Sequence, residues 1–181
     1  MSVIVTCNAG STNVKLAAYD STTLERKGHA VIHNLSAEIA EWLCSIGTLG
    51  IVAFGHRVVH GGRKYGEPEV ITDGVIGDLD KLAALAPLHQ PPALKLIHEA
   101  RGLYPDAPHI ACFDTAFHHT MPEIERRFPL PDWYHREGIQ RYGFHGLSYQ
   151  HIAEALPEYA KDKADGAYSW RIWAAVLPPV P

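Results

Sequence analysis

The 181-residue chain is long enough for one domain with a substantial buried core and short for a second full one. It is 46% hydrophobic and 20% charged with a net charge of −4, and that mild acidity, without a basic stripe or aromatic repeat, leaves no footprint for nucleic acid. Its apolar runs fall well short of the roughly 20 residues that span a bilayer, and the opening residues read as strand, turn and strand, not as a leader peptide. The three cysteines, Cys7, Cys44 and Cys112, are widely spaced and form no CxxC pair. They read as free thiols of a reducing cytoplasm, with Cys7 and Cys112 as small core residues of strands.

In chain order, the β-branched run Val3 to Cys7 is a strand that ends at a polar loop, Asn8 to Asn13, and Val14 to Tyr19 is its hairpin partner. A third strand spans Lys27 to Ile32. Ser36 then caps a helix whose Ile39, Leu43 and Ile46 share one face, with Trp42 beside them. Ile51 to Phe54 is a short buried strand leading into Gly55-His56-Arg57-Val58-Val59-His60-Gly61-Gly62. A helix starts near Thr72 or Asp73, carries Val75, Ile76, Leu79, Leu82 and Leu85, and ends at Pro87. Pro91 and Pro92 open the next helix, with Leu94, Ile97 and Ala100 inward. His109 to Phe113 is a strand, followed by Asp114-Thr115-Ala116-Phe117-His118-His119. A Pro- and aromatic-rich crossing reaches Arg141 to Gly146, and a last helix is closed by Pro157. Strands first, then alternating helices and strands, predict an α/β layered domain.

Four places carry chemistry. In the first loop, Gly10 lets the backbone approach a ligand and Ser11, Thr12 and Asn13 supply donors; such a turn can cradle a phosphate or be a plain hairpin turn. It is not a Walker A loop, because GxxxxGK[ST] is missing. Arg57, before paired glycines, suits a planar carboxylate or phosphate, or else a surface ion pair. His56 and His60 beside it are weak ligands for zinc without a helix to align them. Asp114 follows an apolar strand, where it can orient a substrate or magnesium, cap the next helix, or do both. His145, between Phe144 and Gly146, can approach a ligand and donate a hydrogen bond.

Together and in this order, these segments resemble the acetate kinase family. The matching stretches are Asn8-Ala9-Gly10-Ser11 through Lys15, His56 to Gly62, Ala86-Pro87-Leu88-His89, Phe113 to His118, and Arg141 to Gly146. The likeness runs from residue 3 to about residue 166. It implies a ribonuclease-H-like domain of the sugar kinase, Hsp70 and actin superfamily, a mixed sheet flanked by helices. It also implies phosphoryl transfer between ATP and acetate with magnesium, in the cytoplasm. By that resemblance Asn8, Ser11 and Lys15 lie near the nucleotide phosphates, and Asn8 and Asp114 position magnesium. Arg57 holds carboxylate or phosphoryl oxygens, His145 stabilises the transferring group, and Val59, Leu88 and Phe144 line a pocket for the acetate methyl. Asn13 departs from the serine of many members.

The resemblance implies a second domain as well, carrying the adenosine pocket, a second arginine, a metal-binding glutamate and a His-Leu-Gly-x-Gly loop, and none of these follows Gly166. The expectation is an N-terminal domain over 1–166, an aberrant tail over 167–181, and little acetyl phosphate formation by this chain alone. Family members are homodimers largely through the other half, which leaves the oligomeric state of this chain open. Back-translating Arg171 to Ala174 as CGC ATC TGG GCN and reading one nucleotide earlier yields His-Leu-Gly, so a frame slip near Ala167 to Ser169 is expected. A propionate or butyrate kinase relative, and a carboxylate- or phosphate-binding module that needs a partner chain, are the alternatives.

Overall fold

The computed structural model describes residues 1–10, 13–33 and 35–160, with the backbone alone at Leu35 and Ser36. The expected cap at Ser36 and everything expected of residues 161–181 lie outside the described residues. Six strands form one mixed sheet: β1 (Val3–Ala9), β2 (Val14–Asp20), β3 (Arg26–Ile32), β4 (Ile51–Val58), β5 (Glu69–Val70) and β6 (His109–Phe113). The order across the sheet is β3-β2-β1-β4-β6-β5. β1, β4 and β6 run parallel, while β2, β3 and β5 pair antiparallel to their neighbours. This is the α/β, ribonuclease-H-like architecture expected from the sequence.

Period-two alternation decides which face is buried. Val3, Val5, Cys7 and Ala9 of β1 are at most 3% exposed, and Phe54, His56 and Val58 of β4 share their face. Helices α1 (Leu35–Gly47) and α3 (Gln90–Leu103) cover it, contributing Ile39 and Leu43, and Ala93, Leu96 and Ala100. A second cluster joins Val58, Ala111 and Phe113 to Val75, Ile76 and Leu79 of α2 (Asp73–Lys81) and to Leu94 and Ile97 of α3. The opposite face carries Thr6, Asn8, Arg57 and Cys112, with α6 (Gly146–Tyr159) beside it. Two short helices, α4 (Glu123–Arg126) and α5 (Asp132–Arg136), occupy the crossing before α6.

Several boundaries differ from the sequence reading. β4 runs on to Val58, so Gly55, His56 and Arg57 are strand residues rather than a loop. The glycine and polar residues hide the strand because every second one faces the groove. The helix opened by Thr72, whose hydroxyl accepts from Val75 N at 3.3 Å, stops at Lys81 instead of Pro87. Buried Gln90 donates its amide to the Leu79 carbonyl and a 3-10 turn, Ala83–Leu85, follows. Pro157 does not close α6. It sits inside the last turn, and the helix runs two residues further, to Tyr159; helix ends are soft at this scale. Cys7 is buried as expected, but Cys112 faces the groove, and all three cysteines are free thiols.

Candidate active site

The strand register assembles the site. Asn8 lies opposite Arg57 across the parallel β1–β4 ladder and opposite Lys15 across the antiparallel β1–β2 ladder. Directly paired residues share a face, so Asn8, Arg57 and Lys15 all project from the side away from the helix-packed core. Lys15 is exposed there. Asp114, the residue after β6, keeps strand pairing by donating its N–H to Val58 O at 3.0 Å.

Arg57 is held on both sides. Its Nε donates to the Asp114 carboxylate at 3.0 and 3.1 Å and its Nη2 at 2.5 Å, while Nη1 donates to Asn8 Oδ1 at 3.0 Å. The Asp114 side chain is 3% exposed and that of Arg57 24%. A buried carboxylate is tolerated because this forked pairing satisfies it. Arg57 thus makes a mostly buried ion pair rather than a surface one, and the Asp114 carboxylate bonds Arg57 and caps no helix. The 3-10 turn that follows has Thr115 as its cap residue and no side-chain cap bond.

His145 reaches the same groove by a strained turn. It adopts φ 58 and ψ 24, a left-handed conformation uncommon for a side-chain-bearing residue, just before α6. The turn is held because Gly146 N donates to Asp114 O at 2.7 Å. A Cβ on Gly146 would stand 2.3 Å from that oxygen, so only glycine permits the approach. The resulting groove, of about 670 Å³, is lined by Asn8, Arg57, Asp114 and His145, with Thr6, Cys112, Leu147, Ser148 and His151 among the rest. Leu147 and His151 are four apart on α6, a spacing that could have marked them in the sequence.

The loop after β4 is fixed from behind by residues the sequence reading missed. Gln90 clamps the His60 main chain, accepting from its N–H at 3.2 Å and donating to its carbonyl at 3.1 Å. Thr115 Oγ1 accepts from Gly61 N, and His60 Nδ1 from Gly62 N at 2.8 Å. Burial lowers the His60 pKa and keeps the imidazole neutral for that role. His56 is turned away into the core, where its Nε2 meets His109 Nδ1 at 3.0 Å. The two histidines thus serve separate hydrogen bonds, and no group of three or more metal-ligating side chains occurs among the described residues.

The pocket residues behave differently. Val59 is 8% exposed, but Phe144 is 39% and Leu88 73% exposed, so the latter two belong to an open surface. Phe144 packs edge-on against the His60 ring at 5.6 Å. Ser11 lies outside the described residues. Gly10 N–H, one of the donors that a phosphate could have used, donates to Asn13 O at 2.8 Å.

Residues 18–167 match the model of the acetokinase family. The chain belongs to the acetokinase family. Among relatives, an acetate kinase of Nitrobacter hamburgensis is 45% identical over 125 residues, covering 69% of this chain and 31% of its own length. One of Rickettsia felis is 32% identical over 88% of this chain and 49% of its own. Among solved structures, a propionate kinase from Francisella tularensis aligns with a TM-score of 0.78 at 29% identity, over 89% of this chain and 50% of that one. The acetate kinase of Porphyromonas gingivalis gives 0.74 at 28% identity, over 89% and 49%. This acetokinase-family chain thus spans between about a third and a half of the relatives it matches. No helix among its described residues is long and apolar enough to cross a membrane.

Proposed function

We propose that this chain supplies the acyl- and phosphoryl-binding half of an acetate kinase, which transfers phosphate from ATP to acetate to give acetyl phosphate and ADP. The observation that carries the reading is the convergence of Asn8, Arg57, Asp114 and His145 on one groove in a chain of this family. Phosphoryl transfer asks for positioning and charge neutralisation more than covalent chemistry. Arg57, pre-oriented by Asp114 and Asn8, offers a guanidinium to the carboxylate or phosphoryl oxygens. His145, held in its left-handed turn, donates to the transferring group, and Val59 and Phe144 bound the acyl side. Ser11 and Lys15 are proposed to lie toward the nucleotide phosphates.

Asp114 and Asn8 offer a carboxylate and an amide oxygen of the kind magnesium takes beside waters and phosphates. Both are bonded to Arg57 in this structure, so holding the ion would require the guanidinium to turn from them to the phosphates. Bound there, magnesium would supply charge neutralisation across the transferring phosphate. Three free thiols are compatible with a reducing cytoplasm as the site of the reaction.

We place the domain at 1–166. The family match ends at residue 167, where the composition shifts towards tryptophan and proline, which supports reading 167–181 out of frame. Sequencing the coding DNA through this region tests it, and an absence of second-domain sequence in the neighbouring frame would sink it. Propionate is a second reading, supported by the open positions of Leu88 and Phe144 and by the likeness to a propionate kinase.

The deciding experiment traps acyl phosphate as hydroxamate with ATP, magnesium and either acetate, propionate or butyrate. We expect negligible product from the 181-residue chain and Arg57-dependent product once a second domain is present. Product from the chain alone would refute the need for that domain. No product in either case would favour a binding module.

A further inference from the structure

A second concentration of positive charge lies apart from the Arg57 groove and shares no lining residue with it. Arg63, Arg126 and Arg141 line one hollow together with His118 and His119, and no carboxylate lines it. None of these arginines makes an ion pair among the described residues, unlike Lys64, Lys81, Arg101 and Arg127. Arg63 reaches only the His135 carbonyl, at 3.4 Å. Arg141 donates to Glu125 O at 3.0 Å and lies 5.7 Å over the Phe128 ring. Arg126 Nε is buried without a partner, as is the Gln140 Oε1 atom. Arg63 and Arg126 both favour the ionised Tyr142 phenol, against the burial that raises its pKa. Arg63 and Arg141 are exposed, so water screens their repulsion, and Glu123 acts on Arg126 from outside the hollow. The buried, unpaired Arg126 Nε–H is costly all the same, and an anion would satisfy it.

The hollow also says what kind of anion. The enclosed space is about 10 Å³, room for one water-sized atom, so a single head-group oxygen enters it and the rest of the head lies at its mouth. Gly62, Arg63, Gln140, Arg141 and Tyr142 line it and also line an adjoining groove of about 790 Å³. That groove is walled by Leu82, Leu85, Phe128, Ile139 and Phe144. Its acidic residues are Glu137 and Asp78, the latter already engaged by Lys64, Lys81 and Tyr65. An inorganic ion would use the arginines and leave the apolar walls bare.

We propose that Arg63, Arg126 and Arg141 form a second ligand site, which takes a small organic anion: a phosphate or carboxylate head on the arginines and an apolar, preferably aromatic, body in the adjoining groove. Forked guanidinium pairing suits either head, and stacking and apolar burial at Tyr142, Phe128 and Ile139 hold the body. The site does not depend on the kinase reading, since Arg63, Arg126 and Arg141 are not placed in the transfer; of its walls, Phe144 alone is shared with the proposed acyl side.

Phenyl phosphate is the probe, titrated into the full 181-residue chain and followed by backbone amide NMR shifts, with inorganic phosphate, phenol and benzoate alongside. Shifts are expected at Gly62, Arg63, Arg126 and Ile139 to Gly143, saturating at about 1 mM. Arg63→Ala and Arg126→Ala should each weaken binding about tenfold. Arg63→Lys should retain more of it, and Ile139→Asp should bring phenyl phosphate down to the level of inorganic phosphate. Benzoate against phenyl phosphate tells which head is preferred. Shifts confined to the Asn8, Arg57 and Asp114 surroundings, or none up to about 10 mM in folded protein, would overturn the proposal. So would binding that Arg63→Ala and Arg126→Ala, both still folded by circular dichroism, leave unchanged.

Discussion

The two faces of the central sheet are made by the same strands and do opposite work. On β1 the odd residues Val3, Val5, Cys7 and Ala9 are sealed under α1 and α3, while Thr6 and Asn8 between them face the groove. β4 repeats the division, with Phe54, His56 and Val58 inward and Gly55 and Arg57 outward. Alternation along a strand thus places a functional side chain within one residue of a core side chain. Rigidity of the packed face fixes the geometry of the open one. Substitutions one position apart should therefore differ in kind as well as in size.

The largest contrast is Phe54→Ala against Thr6→Ala. Phe54 is fully buried and stacks on His109 with ring centroids 4.5 Å apart. Its loss should cost about 3–5 kcal/mol, read as a lower urea midpoint, whereas Thr6→Ala should stay within about 0.5 kcal/mol. Equal effects would break the division between faces. Next comes Arg57→Ala, which strips the forked partner from a buried carboxylate. It should destabilise by about 3 kcal/mol, although Arg57 stands on the open face. Arg57→Lys should recover part of that stability and little of the phosphoryl transfer, because an ammonium cannot reproduce the fork.

Acid sharpens the comparison from the packed side. Burial holds the His56 imidazole at about 3, against its ordinary 6.5, and lowers His109 as well. His56 is therefore neutral in the folded chain and takes up a proton in the unfolded chain below pH 6.5. Its contribution is intact above that value and is lost as pH falls towards 3. Wild type should lose about 3 kcal/mol more than His56→Phe between pH 6.5 and about pH 4. Parallel pH profiles of urea-unfolding stability for the two proteins would show that the histidine pair carries no such linkage.

The packed face was the legible one. Short β-branched runs, the Thr72 cap and Pro91 with Pro92 at the start of α3 are local signals, and the structure keeps them. The open face was harder to read because its glycine, polar and charged residues break the apolar pattern. Gly55-His56-Arg57 reads as a loop for that reason, and Cys112 reads as core although it faces the groove. The motif residues were identifiable by resemblance, but their mutual bonding was not. Nothing in the spacing of residues 57 and 114 says that they close a salt bridge across two strands. Gln90 and Thr115 were missed because their role is to hold a main chain at His60 and Gly61, which leaves no pattern in sequence.

The smallest expected effect has the opposite sign. His145 holds φ 58, a conformation glycine adopts without penalty, directly before α6. Removing that strain through His145→Gly should raise stability by about 0.5–1 kcal/mol, net of the added freedom of the unfolded chain. On the proposed function, and with a second domain present, Arg57→Ala is expected to lower stability and transfer together, so activity lost there is open to a folding explanation. Loss of transfer at position 145 alongside a higher urea midpoint is not. It would mean that the left-handed turn is kept for the imidazole it presents to the groove. A lower midpoint would mean instead that the His145 side chain contributes more to packing than its backbone costs, and would make it a structural residue of the α6 start.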